Sequence, residues 1–222
     1  MLEPGATLID EYVRDLDGHL RGPARLKIDL LTEVRDGLTD AAEGYQADGL
    51  STDEAQRHAL AEFGAAGRLA GEYQTEITAR SVRTLAVRTL AVAAVLISTG
   101  DLTWRGSPWS ATPPPAGYQL VSAAVNWLWV AALVSAVTSI GILAWLARRG
   151  PDESAWPVRL AGTGLTVALA ATLVNTAVLW VWSVRLWDGA LLWPPMLIGL
   201  VALVVAYGWL GSGVRNYLVG VR

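Results

Sequence analysis

The chain of 222 residues has no cysteine, one phenylalanine, two histidines and a single lysine, Lys27. Without cysteine there are no disulfides, thiolate nucleophiles, iron–sulfur clusters or Cys-ligated zinc, and the redox compartment stays open. The two histidines, His19 and His58, have no second ligand at metal-binding spacing, so a metal site is not expected. Charge is scarce too, at 17% of residues against 53% hydrophobic, with a mean hydropathy of +0.37. A soluble domain carries about 25% charged residues. No apolar signal-type segment occurs in the first 80 residues, so a cleavable leader is not expected.

What charge there is lies unevenly. Residues 1–80 hold 8 Lys/Arg and 16 Asp/Glu, whereas the remainder holds 9 and 4. All 11 tryptophans lie at or beyond Trp104. An acidic, water-facing head therefore precedes a membrane-embedded body. The acidic head lacks the basic footprint of a nucleic-acid binder, so no direct nucleic-acid contact is expected.

Four apolar segments follow the head. Charge-free runs extend over Leu120–Leu146, Leu160–Val184 and Leu191–Val214, of 27, 25 and 24 residues. Each meets the roughly 20 residues a spanning helix needs. Pro194 and Pro195 shorten the last from its front. The first segment, Leu85–Gly100, is interrupted by Arg88 and has eleven charge-free residues from Leu90 onward. Arginine placement decides that it spans. With four spans, Arg80, Arg83, Arg88, Arg148, Arg149, Arg159, Arg215 and Arg222 fall on one side, and only Arg105 and Arg185 on the other. The positive-inside rule then puts both termini in the cytoplasm, in a multi-pass protein of the cell membrane. Arg88 is near enough to that face for its stem to snorkel.

Spans two to four hold no Asp, Glu, Lys, Arg or His, which argues against proton or ion transport. Their polar residues, Asn126, Thr138, Thr172, Asn175 and Thr176, suit interhelical hydrogen bonds. Ala131, Ser135 and Ser139 form a small-residue stripe for helix contact. Two outer loops are expected, Asp101–Gly117 and Arg185–Pro195. Trp104, Trp109, Trp127, Trp129, Trp180, Trp182, Trp187 and Trp193 fall in the outer half as an interfacial belt. A lipid or hydrophobic drug bound among them is the sharper alternative.

The head reads as short amphipathic helices. Thr7 caps a first helix whose apolar positions are Leu8, Ile9, Tyr12, Val13, Leu16 and Leu20. Gly22-Pro23 breaks it. A second helix presents Leu26, Leu30, Val34, Leu38, Ala41 and Tyr45 and ends near Asp48–Gly49. Ser51 to Glu54 is a capping box. It opens a third helix carrying Ala55, Ala59, Leu60 and Phe63, which stops at Gly64. A fourth, with Leu69 and Tyr73, continues towards the first span. The expected head core is Tyr12, Leu16, Leu30, Val34, Leu38, Leu60 and Phe63.

The predicted architecture is all-α. A flexible stretch 1–6 precedes a helical head 7–76, a connecting helix 77–84 and four spans within 85–214 (about 83–102, 120–146, 160–184 and 193–214). A cytoplasmic tail, 215–222, follows. No Ser/His/Asp arrangement can be assembled, and Gly208-x-x-Gly211-x-Gly213 follows no strand and is no phosphate loop. Neither catalysis nor a cofactor is expected.

Part of the head resembles a known family. Tyr12-Val13, Leu16, Leu20, Gly22-Pro23 and Lys27 to Val34 look like the first half of a HAAS-type, or permease-prefix, domain of small bacterial membrane proteins. The second half is matched by Gly49-Leu50-Ser51-x-x-Glu54-Ala55, Ala59-Leu60-x-x-Phe63-Gly64 and Leu69-Ala70-x-Glu72-Tyr73. Genes of that family often lie beside those of PadR-type transcriptional regulators. The resemblance implies a membrane-anchored signalling adaptor whose head binds a cytoplasmic protein of that regulator class. The candidate contact residues are Asp15, Asp17, Leu31, Glu33 and Arg35. An accessory subunit of an ATP-binding-cassette transport system is the other reading. Membrane lipid is the expected surrounding of the bundle, and self-association stays open.

Overall fold

The computed structural model describes residues 7–104, 114–149, 156–187 and 192–221; the stretch 1–6 and most of both outer loops lie outside them. The described chain is all-helical: α1 (Leu8–His19), α2 (Ala24–Ala47), α3 (Thr52–Phe63), α4 (Ala66–Trp104), α5 (Ala116–Arg149), α6 (Trp156–Leu186) and α7 (Pro194–Val221). Helices α4 to α7 are long and apolar enough to cross a membrane. This is a multi-pass membrane protein.

Two compact units divide it, residues 1–80 with Leu218–Arg222, and Ser81–Tyr217. The first unit begins with local chemistry. At α1, Thr7 accepts from the Asp10 N–H at 3.2 Å while the Asp10 carboxylate takes the Thr7 N–H at 3.1 Å. Ser51 and Glu54 form the reciprocal box at α3, with the Ser51 N–H on the Glu54 carboxylate at 3.2 Å. Two orphan donors are thereby satisfied at each start. Leu16, Leu30, Val34 and Leu38 are buried with Ala55, Ala59, Ala70 and Ile77, and Tyr12, Leu60 and Phe63 pack half-buried against them. The Tyr12 hydroxyl reaches the Gly64 carbonyl at 2.9 Å, and its ring meets Phe63 edge-on. Gly22 needs its lack of a side chain: φ is +149°, and a Cβ there would stand 2.6 Å from Ile77 Cγ2.

The last turn of α7 belongs to this first unit. Gln74 of α4 accepts from the Arg21 N–H at 2.8 Å and donates to the carbonyls of Arg21, at 2.8 Å, and Gly220, at 2.7 Å. The tail expected at 215–222 is thus helical through Val221. A helix satisfies its own backbone, which is cheapest wherever water is scarce. For the same reason helix replaces loop at both ends of each expected outer loop: α4 reaches Trp104, α5 starts at Ala116 and α6 reaches Leu186.

In the second unit the buried small residues of α5 keep Ser139 of the predicted stripe and lie one position over at its other two places. Ala132, Ala136 and Ser139 are buried whereas Ala131 is exposed. A strict spacing of four drifts about 40° per step at 3.6 residues per turn, so a straight seam alternates four and three. The Ser139 hydroxyl approaches the Ala161 carbonyl at 3.4 Å. Gly162 admits the ring of Tyr217, whose hydroxyl donates to the Arg159 carbonyl at 2.8 Å.

The interhelical hydrogen bonds expected of five polar residues are made by two. Asn175 donates to the Val121 carbonyl at 3.2 Å and Thr176 pairs with the Tyr207 hydroxyl at 3.1 Å. Thr172 bonds its own helix at Leu169, and Asn126 and Thr138 face outward. The tryptophans divide as well. Trp127 is exposed, but Trp129 is buried beside Tyr207. Trp180, Trp187 and Trp193 close around the buried Met196, and Tyr118 meets Trp182 and Trp187 edge-on. Trp109 lies outside the described residues.

Candidate functional site

The first unit carries the candidate surface, and its α1–α2 hairpin orders most of it. Asp17 Oδ1 lies 2.7 Å from Lys27 Nζ, which also donates to the Asp17 carbonyl at 3.1 Å. Asp10 Oδ1 lies 3.0 Å from Arg35 Nη2. Asp15 stands 3.7 Å from His19 Nδ1, and that nitrogen bonds the Asp15 carbonyl at 2.8 Å. Two of the five predicted contact residues, Asp17 and Arg35, are therefore ion-paired within the head, while the Asp15 side chain stays exposed beside His19.

Leu31 is half-buried and packs against the head core, so it offers little to a partner. Its neighbour on the open face is Ile28, 61% exposed, an unusual apolar residue for a water-facing helix. The buried row Leu30, Val34 and Leu38 decides this. Leu31 flanks that row on the side covered by the rest of the head, and Ile28 lies off it.

Glu33 is exposed and free of a hydrogen bond or ion pair in the described residues, and it does not stand alone. Asp29, Glu33, Asp36, Asp40 and Glu43 are all exposed on α2. Their spacing of four, three, four and three places them in one row along the helix. The row covers about 21 Å at 1.5 Å per residue. None of the five makes an ion pair with another described residue. The signal for this ridge in the sequence is the 4-3-4-3 spacing of its carboxylates.

Electrostatics within the head are otherwise local. The Thr7 backbone N–H, then its hydroxyl, holds the Asp10 carboxyl below its ordinary range. The Ser51 hydroxyl, then its N–H, does the same for Glu54. Burial pushes the Tyr12 and Tyr73 phenols up, and Glu33 adds to the effect at Tyr73. Among the described residues, no group of three His, Asp or Glu side chains is placed to hold a metal ion. What the arrangement can do is present a continuous anionic edge, flanked by Ile28, to a cationic surface.

The chain matches no protein-family model, no curated protein and no solved structure.

Proposed function

We propose that this protein is a membrane-anchored signalling adaptor whose acidic helical head binds a basic cytoplasmic protein. The observation that carries this reading is the ridge Asp29–Glu33–Asp36–Asp40–Glu43. Like charges in one row repel one another, by a few tenths of a kcal/mol per pair on a helix surface. A basic partner would relieve that repulsion and be steered to it. The head's resemblance to HAAS-type domains supplies the partner class, a PadR-like transcriptional regulator. Such a regulator offers a DNA-binding surface, so the ridge would compete with DNA for it. In this reading the protein lies in the cell membrane with both termini in the cytoplasm, and no catalysis is involved.

The test uses the full chain in detergent and the PadR-type regulator encoded nearest its gene. Binding should weaken with salt, be displaced by operator DNA, and fall sharply in Glu33→Lys/Asp36→Lys/Asp40→Lys. Reversal of Asp17 is a poorer probe, since it also breaks the pair with Lys27. Binding that ignores salt and the triple reversal would refute the electrostatic reading.

A further inference from the structure

Arg88 is a cation inside a spanning helix. Its Nη1 donates to Ser212 Oγ at 2.8 Å and to the Trp209 carbonyl at 3.2 Å, and its guanidinium lies 5.1 Å from the Trp209 ring centre. Ser212 in turn donates to the Trp209 carbonyl at 2.7 Å. The side chain is thus aimed at α7 and held there. These contacts use one nitrogen of three. The N–H groups on Nε and Nη2 have no partner among the described residues.

Nor is Arg88 given a counter-ion by the described residues of the second unit. The carboxylates between Ser81 and Tyr217 are Asp101, Asp152, Glu153 and Asp188. Asp101 stands 13 residues along α4, about 20 Å away, and the other three lie outside the described residues. A half-buried charge without an anion is costly in a low dielectric, and an anion from outside the chain removes that cost.

Position selects the anion. Arg88 sits where the charge-free run of α4 begins, and its partners lie just before α7's run ends at Val214. Arg215, exposed and without a described partner, follows Ser212 by three residues, on the same face one turn on. Along α7 in the other direction, Trp209, Val205, Val204 and Val201 are exposed. Two guanidiniums therefore end an apolar track. We propose that Arg88 and Arg215 bind the phosphate of an anionic phospholipid, whose acyl chains lie along α7. A free phosphate would gain nothing from the apolar track. A choline headgroup would bring a third cation to the site.

The full chain in detergent, titrated with phosphatidylglycerol or phosphatidylcholine and read by native mass spectrometry, tests this. Phosphatidylglycerol should bind roughly tenfold more tightly, the ratio a charge-assisted hydrogen bond gives. Arg88→Gln and Arg215→Gln should each remove most of that preference, and inorganic phosphate should not displace the lipid. Arg215→Gln carries the test should Arg88→Gln fail to fold, because Arg215 makes no described contact in the bundle. Equal binding of the two lipids, an unchanged preference in Arg215→Gln, or displacement by inorganic phosphate would each overturn the assignment.

Discussion

The side-chain amide of Gln74 donates to the carbonyl of Gly220 at 2.7 Å, across 146 residues of chain. That carbonyl belongs to the last turn of α7, where a helix leaves its acceptors open. The same amide nitrogen holds the Arg21 carbonyl, and the amide oxygen holds the Arg21 N–H. One side chain therefore fixes the α1–α2 turn and the end of the last helix together. The Asp17–Lys27 pair straddles that same turn.

Gln74→Leu keeps the bulk and removes all three hydrogen bonds. The Arg21 groups are exposed and the Gly220 carbonyl is part-buried, so about 0.5–1.5 kcal/mol of local stability should be lost. Hydrogen exchange followed by mass spectrometry should speed up at both 20–24 and 218–221. Faster exchange at only one of the two would mean that they are held independently.

Two capping carboxylates set an acid limit for the head. Asp10 and Glu54 have folded-state values below their ordinary 3.8 and 4.5. A depressed carboxylate stabilises the fold above its unfolded value and loses that contribution as pH falls through the folded one. Pepsin cleavage within residues 7–64 should therefore accelerate as pH drops below about 4.5. In Thr7→Ala/Ser51→Ala it should be fast throughout and depend less on pH.

Gly162 and Gly164, two residues apart on α6, should respond oppositely to alanine. A Cβ on Gly162 collides with the Tyr217 ring and stands 2.8 Å from Val82 Cγ2, whereas nothing lies within 4 Å of one on Gly164. Gly162→Ala should destabilise the purified protein by about 1–3 kcal/mol through overpacking. Gly164→Ala should be neutral or stabilise by up to about 1 kcal/mol, from helix propensity. Thermal unfolding in one detergent compares them directly.

Orientation is open to single cysteine probes, because the chain has no cysteine of its own. Ser110→Cys and Asp188→Cys should react with an impermeant maleimide added outside cells, and Ser154→Cys should not. Labelling of Ser154→Cys from outside would reverse or break the four-span arrangement.

The head's helix starts were legible because capping is local: Thr7 with Asp10 and Ser51 with Glu54 need only three residues of sequence. The buried row Leu30–Val34–Leu38 was legible for the same reason, since a helix period of 3.6 sorts faces without knowing the neighbour. The flanks of that row were not. Whether Leu31 or Ile28 faces water depends on what other helices cover, and sequence period alone does not say. The α5 stripe was right at Ser139 and one position off at Ala131 and Ser135, because spacing four and a straight seam diverge. Gln74 carried no signal at all, since its partners lie 53 and 146 residues away.

The Gln74 clamp also has a place in time. The first unit's buried core, from Ile9 to Ile77, lies within its first 80 residues, so that core can form while the ribosome is still translating the spans. Gly220 arrives only after 146 more residues, some 7–30 s later at 5–20 residues per second. For that interval Gln74 holds only the two Arg21 groups, and its bond to the end of the last helix is missing in every newborn molecule. A chain truncated before Gly220, or one whose last helix failed to insert, would lack that third bond of Gln74 permanently. Quality-control proteases, which cut where backbone opens, would therefore meet finished and unfinished copies as different substrates.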